Sequence, residues 1–273
     1  MKPLYVIKIG GNVIDDSENL MNFLSDFSAL KGDKILIHGG GKIATKLSTD
    51  LGIQSKLIEG RRVTDGETLK IVTMVYSGLI NKNIIAALQN KQCNAIGLTG
   101  ADGNFIRAKK RPQVKVYSEE KGADILVDYG FVGDLDDTSI DSEALSKLLE
   151  AGFTPVFSAI THDGKGQLLN TNADTIASII AVSMSKIYET SLIYCFEKAG
   201  VLMNVEDDST LIKSINPSYY HELKRQGIIS EGMIPKLDNA FEAIEQGLKE
   251  VCIGKSDSLS SLNEHNFGTR LTK

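Results

Sequence analysis

Tryptophan is absent from the 273 residues, proline occurs five times and cysteine three times. Cys93, Cys195 and Cys252 lie far apart and form no C-x-x-C pair. That excludes a disulfide framework and a structural zinc site, and it favours a reducing compartment. No stretch approaches the roughly 20 apolar residues of a membrane span, and the N-terminus has no basic segment leading into a long apolar run. The expectation is a cytoplasmic protein without a membrane partner. Positive charge is not in excess either: 30 Lys+Arg against 35 Asp+Glu leave a net charge of −5. A nucleic-acid groove is therefore not expected, while a local basic site for a small anion remains compatible. Two phosphate motifs are missing as well. Gly41-Lys42 is followed by Ile43 and lacks the upstream glycine of a P-loop, and no G-x-G-x-x-G occurs.

What is present is an ordinary globular composition, 42% hydrophobic and 24% charged, in a length that suits one large α/β domain or two lobes sharing a sheet. Apolar β-rich runs recur at 4–9, 34–38, 94–98, 153–157, 191–196 and 249–253. They are mostly continuous rather than alternating, the pattern of strands covered on both faces. Segments of 3.6 periodicity lie between them: Ile43, Ala44, Leu47 and Leu51; Leu69, Val72, Val75, Tyr76 and Leu79 behind a capping box from Thr64 to Glu67; and Leu237, Ala240, Phe241, Ile244 and Leu248. This alternation predicts an α/β fold, a three-layer αβα sandwich around a mainly parallel sheet, with ligands at the carboxyl ends of the strands. Residues 104–137 break the pattern and read as an antiparallel excursion. The polar turn Thr161–Gly166 places a lobe boundary there, giving lobes 1–165 and 166–273.

Chemistry concentrates where strands end. Gly10-Gly11 and Gly39-Gly40-Gly41 each follow a strand and precede a helix, so bare backbone N–H groups and the positive end of a helix could face one polyanion. A tight strand-to-helix turn explains either cluster alone, but two at adjacent strand ends are harder to explain that way. Lys8 would stand over the same phosphates. In Asn170-Thr171-Asn172-Ala173-Asp174 one polar residue is expected simply as a helix N-cap, but three exceed what a cap needs. Lys236 follows Gly232-Met233-Ile234-Pro235 and would project from a helix N-terminus, where a cation is unfavourable unless an anion binds nearby; the alternative is a solvated surface lysine.

Taken together, Lys8-Ile9-Gly10-Gly11, His38-Gly39-Gly40-Gly41, Gly60-Arg61-Arg62-Val63-Thr64, Gly97-Leu98-Thr99-Gly100-Ala101-Asp102-Gly103, Asn170-Thr171-Asn172-Ala173-Asp174, Gly232-Met233-Ile234-Pro235-Lys236 and Gly268-Thr269-Arg270 resemble, in that order, the motifs of acetylglutamate kinases within the amino acid kinase family. The resemblance spans essentially the whole chain. It implies transfer of the ATP γ-phosphoryl group to the side-chain carboxylate of N-acetylglutamate, the second step of arginine biosynthesis. It implies Lys8 and Lys236 as phosphate-contacting catalytic lysines and Asp174 as the acid that orients both. Gly10, Gly11, Gly40, Gly41, Gly232 and Met233 are implied at the nucleotide, and Gly40, Gly41, Arg62 and Asn170 at the acyl amino acid. Mg²⁺ would arrive with ATP rather than in a protein cage, so no metal ligands are assigned. A homodimer insensitive to arginine is the implied assembly, because the chain begins directly with the first strand.

Two departures from the family pattern stand out. After the strand at 191–194, family members commonly have Ser or Thr, then Asp, then Val; here Cys195-Phe196-Glu197 follows Tyr194, in a segment that borders adenine and ribose in the family. Ala101 replaces a lysine frequent in its loop. N-succinylglutamate stays open as an alternative substrate, with Arg107, Lys109 or Lys110 as candidate extra cations. Another kinase of the family, or a non-catalytic sensor of an amino acid or nucleotide, stands further off. Of the histidines, His38 is expected beside the glycine loop, and His162, His221 and His265 on the surface or in loops.

Overall fold

The apolar runs do become strands. In the structure, a computed structural model that describes residues 1–54, 56–58, 61–118, 122–229, 233–264 and 266–273, the main sheet contains β1 (Pro3–Ile9), β2 (Asp33–His38), β3 (Ala95–Leu98), β4 (Thr154–Ser158), β5 (Glu189–Phe196), β6 (Ser214–Ile215), β7 (Glu250–Lys255) and β8 (Thr269–Leu271). Their order is β6-β8-β7-β5-β1-β2-β4-β3. β1 pairs in parallel with β2 on one side and β5 on the other, β4 lies parallel between β2 and β3, and β7 continues parallel beside β5. Only the far edge reverses, where β8 runs antiparallel to β7. The central strands are buried almost throughout, as continuous apolar runs require.

Helices cover both faces. α1 (Gly11–Asp15) leads into α2 (Ser17–Ala29), which Asp16 caps by accepting from the Glu18 and Asn19 N–H groups. α2 buries Phe23, Leu24 and Phe27, and the Phe23 and Phe27 rings stack at 5.9 Å. Each such ring contributes roughly 1.5–3 kcal/mol by leaving water. α3 (Gly41–Asp50) follows β2, and α6 (Ser142–Glu150) precedes β4. α7 (Ala173–Met184) is the most apolar helix; it buries Ile176, Ala177, Ile180, Ala181 and Met184 and packs over β1, β2 and β5. α8 (Pro217–Arg225) and α9 (Ile234–Glu245) complete the C-terminal part.

Between α3 and β3 the chain forms α4 (Gly66–Thr73), a π-helical stretch Met74–Ile80 and α5 (Asn81–Asn90). Its cap is Asp65, which accepts from the Thr68 N–H at 2.8 Å, and not Thr64 as the expected capping box had it. Thr64 is drawn away because its own N–H donates to the Tyr129 carbonyl and its hydroxyl accepts from Asn170. The π turn also shifts the expected stripe, so that Leu79 ends 52% exposed. Read as one run, Gly66–Asn90 has 25 residues with a mean hydropathy of 1.4 in its most apolar window, enough by length and composition to cross a bilayer, contrary to the expectation that no such stretch exists. A core helix passes the same test, and here Ile71, Val72, Val75, Ile80, Ile84 and Leu88 are buried in the main core.

The expected antiparallel excursion is present as two ribbons, Val114–Ser118 with Ala123–Val127 and Lys109–Lys110 with Gly133–Asp134. A third ribbon pairs Ile160–His162 with Leu168–Asn170, so residue 165 falls in its turn. Gly130, at φ +75°, is where the excursion meets the rest: a side chain there would stand 2.2 Å from the Thr64 carbonyl oxygen. Because it has none, Phe131 N–H reaches that oxygen at 2.7 Å, and Asn170 N–H reaches the Phe131 carbonyl at 2.9 Å. Three segments thereby close together beside the carboxyl ends of β2 and β4.

Candidate active site

A cleft of about 1020 Å³ opens at those strand ends and is lined by Gly40, Gly41, Arg62, Asn170, Asp174 and Lys236 among others. An adjoining cavity of about 490 Å³ is lined by Lys8, Gly10, Gly11 and Met233, and shares Gly41, Asp174, Phe196 and Lys236 with the first. Every expected site residue that is described thus faces one connected space. Gly232, like Gly60 and His265, lies outside the described residues.

Lys8 sits near the end of β1 and is 8% exposed. Its Nζ pairs with Asp174 Oδ1 at 2.8 Å. Asp174 occupies the first turn of α7, where a negative side chain is favoured by the helix dipole. Asn172 is the N-cap of that helix, accepting from the N–H groups of Asp174 and Thr175, so the ordinary capping role accounts for it. Lys236, in the first turn of α9, comes from the opposite side. Burial lowers its pKa, the positive charge of Lys8 lowers it further, and Asp174 opposes both. Two ammonium groups and one carboxylate therefore share one electrostatic neighbourhood with an excess of positive charge.

The two glycine turns flank this cluster. Gly40 and Gly41 open α3, whose first-turn N–H groups have no partner within the helix. Gly11 opens α1, whereas the Gly10 N–H is already spent on the Cys195 carbonyl at 3.1 Å. Gly10 itself lies against Phe196: a Cβ there would stand 3.6 Å from Phe196 Cδ1, an ordinary van der Waals contact. Lys42 in α3 donates to Asn12 Oδ1 in α1 and so ties the two turns to each other.

On the far side of the cleft Arg62 Nη2 donates to the Gly41 carbonyl at 3.0 Å and to Thr45 Oγ1 at 2.7 Å. Asn170 Nδ2 donates to Thr64 Oγ1 at 3.0 Å. His38 is fully buried, with Nδ1 2.9 Å from the Gly39 carbonyl and Nε2 3.0 Å from Asn81 Nδ2. Burial pushes its pKa down to about 4, so it is a neutral support beneath the glycine turn.

Three lining residues were not singled out from sequence. Tyr76 was read as part of a helical stripe, but it lines the cleft; burial raises its pKa and the Arg62 guanidinium opposes the rise. Arg111 is the described member of its basic run that lines the cleft, held by Asp134 and set over the Tyr129 ring at 5.5 Å. Lys109 instead pairs with Asp136, and Lys110 sits over Phe131. Phe196, noted only as a departure from pattern, lies under both cluster lysines.

A sequence model described as the amino acid kinase family matches residues 3–255. The chain is 52% identical to an acetylglutamate kinase of Cytophaga hutchinsonii over 99% of both chains. It is 49% identical to one of Bacteroides fragilis over 99% of this chain and 97% of the relative. Among solved structures, a Giardia carbamate kinase superposes with a TM-score of 0.67 at 13% identity, over 100% of this chain and 99% of that one, a likeness of fold alone. The chain belongs to the amino acid kinase family.

Proposed function

We propose that this chain acts as an acetylglutamate kinase, transferring the γ-phosphoryl group of ATP to the side-chain carboxylate of N-acetyl-L-glutamate. The products are N-acetylglutamyl 5-phosphate and ADP, and the step belongs to arginine biosynthesis. The observation that carries the reading is the meeting of Lys8, Lys236 and Asp174 in one cleft beside two glycine turns, in a chain about half identical to acetylglutamate kinases along its whole length.

The chemistry asks little of a general base. A glutamate side chain with an ordinary pKa of about 4.3 is already ionised at neutral pH and can attack directly. One carboxylate oxygen bonds to the γ-phosphorus as the β–γ bridging bond breaks, and that electron pair leaves on ADP. Charge spreads over the equatorial phosphoryl oxygens in the transition state, and catalysis consists of alignment and neutralisation. Lys8 and Lys236 supply the neutralising charge. Asp174, in contact with Lys8 and within the field of Lys236, keeps two mutually repelling cations at one place. The N–H groups at Gly11 and at Gly40 to Gly41 supply fixed dipoles, and Met233 borders the nucleotide. Arg62 and Asn170, beside Gly40 and Gly41, hold the acyl amino acid by its α-carboxylate and acyl amide.

Mg²⁺ enters with the nucleotide; a cluster of two ammonium groups and one carboxylate complements a polyphosphate that carries its own cation. The lobe 1–165 carries most of the acyl amino acid site and the lobe 166–273 much of the nucleotide site, with Asn170 and Lys8 reaching across, and the working assembly is a cytoplasmic homodimer.

Incubation with Mg-ATP and N-acetylglutamate, N-succinylglutamate, N-acetyl-aminoadipate, aspartate, carbamate or UMP, with ADP release as the readout, tests the reading. Turnover is expected with N-acetylglutamate; its absence with every N-acylated acid would end the proposal. Lys8→Ala and Lys236→Ala should each lower kcat by about two orders of magnitude or more while sparing binding of the acyl amino acid.

A further inference from the structure

We propose that Phe196 is a positioning residue of the phosphate site: its ring is the common seat of the Lys8 and Lys236 ammonium groups and holds the two like charges together for phosphoryl transfer. The proposal rests on the reading of both lysines as phosphate contacts.

Lys236 Nζ stands 4.1 Å from the centroid of the Phe196 ring and Lys8 Nζ 5.2 Å from it. Both distances lie inside the range of about 6 Å over which an aromatic face attracts a cation. The lysines come from β1 and α9, elements far apart in the chain, so their meeting on one ring is not a consequence of local sequence. The ring itself is fixed. It stacks on Tyr194 with centroids 6.0 Å apart and planes 18° from parallel. Tyr194 in turn donates to the Asp174 carbonyl at 3.4 Å.

A second attraction is needed because one carboxylate cannot neutralise two ammonium groups. A second acid would repel the incoming polyphosphate as strongly as it held the lysines. An aromatic face attracts cations through its quadrupole and carries no net charge, so it restrains the lysines without opposing the anion. Each ammonium has three N–H donors, and contact with the ring on one side leaves donors for phosphate on the other. Phe196 lines both the large cleft and the smaller cavity, which puts it at their junction, where the polyphosphate would lie.

The test uses the full-length enzyme with Phe196 replaced in turn by mono-, di- and trifluorophenylalanine, which keep the ring's shape and progressively weaken its face. A stepwise fall of kcat is expected, reaching about tenfold with the trifluorinated ring. The affinity for inorganic tripolyphosphate, which has no base to stack, should fall in parallel. Phe196→Leu should lose at least as much and Phe196→Tyr should restore most of the activity. A flat fluorine series in both kcat and tripolyphosphate affinity would overturn the proposal. So would a loss confined to the KM for ATP, which would make the ring a platform for adenine. Lys8→Ala and Lys236→Ala variants with unchanged kcat would instead remove the reading beneath it, whatever the fluorine series gave.

Discussion

Gly40→Ala is the substitution whose cost can be worked most directly from the structure. Gly40 has φ +151° and ψ 30°, a conformation that side-chain-bearing residues rarely adopt. Holding alanine there costs about 1–3 kcal/mol of backbone strain. The added Cβ would also stand 2.2 Å from Ile80 Cδ1 and 3.1 Å from Tyr76 Cδ1. Ile80 is 4% exposed and Tyr76 5%, so neither can swing into solvent, and overpacking adds about 1–3 kcal/mol. The sum, about 2–6 kcal/mol, is a large part of an ordinary stability of about 5–15 kcal/mol. Urea unfolding without ligands would read it as a lower midpoint. The double variant Gly40→Ala/Ile80→Val separates the two contributions, because it removes the very methyl group that collides and leaves the φ strain in place. Ile80→Val alone should cost about 0.5–1.5 kcal/mol, yet in the Gly40→Ala background it should stabilise. Strict additivity, or a Gly40→Ala protein within about 0.5 kcal/mol of the parent, would refute the argument.

Arg62→Ala should raise KM for the acyl amino acid roughly ten- to a hundredfold, the worth of a charge-assisted contact, and leave KM for ATP nearly unchanged; equal changes in both would refute the assignment. His38, buried and held near a pKa of about 4, should stay neutral when the unfolded chain already takes up a proton near 6.5. Its contribution to stability is therefore complete above about pH 6.5 and is lost progressively as pH falls toward 4, up to about 3 kcal/mol. NMR titration of the imidazole checks this, and a midpoint near 6.5 would contradict it. Among the described residues, Asp174 is the group that raises the Lys236 pKa, and Asp174→Asn removes it. Because Lys236 binds phosphate in its protonated form, loss of tripolyphosphate affinity on raising pH should begin at lower pH in that variant; an unmoved midpoint would contradict the coupling.

The sheet was legible because continuous apolar runs have few alternatives in a chain of this composition, and six of them became strands within two residues of the expected ends. The two-residue β6 and three-residue β8 carry too little apolar pattern to be read that way. Local chemistry misled at Thr64, whose capping signal was real but was overruled by tertiary partners, the Tyr129 carbonyl and Asn170. At the site, glycine turns and chain order pointed to Lys8, Asp174 and Lys236. Phe196 and Tyr76 were not assigned to the site because an aromatic residue in an apolar run looks like core until its neighbours are known. Arg111 escaped because four cations in five residues cannot be ranked until a backbone decides which one turns inward.

β1 and β5 pair in register over seven residues, from Pro3 with Glu189 to Ile9 with Cys195, although they come from opposite halves of the polypeptide. Severing the chain at the Gly164 to Gly166 turn would hand each fragment a raw interior edge, one ending its sheet at β1 and the other at β5. Neither piece should keep its shape by itself, and the two should knit along that seam when mixed. The molecule is thus a natural candidate for a split pair whose reassembly could be followed by light or by restored turnover.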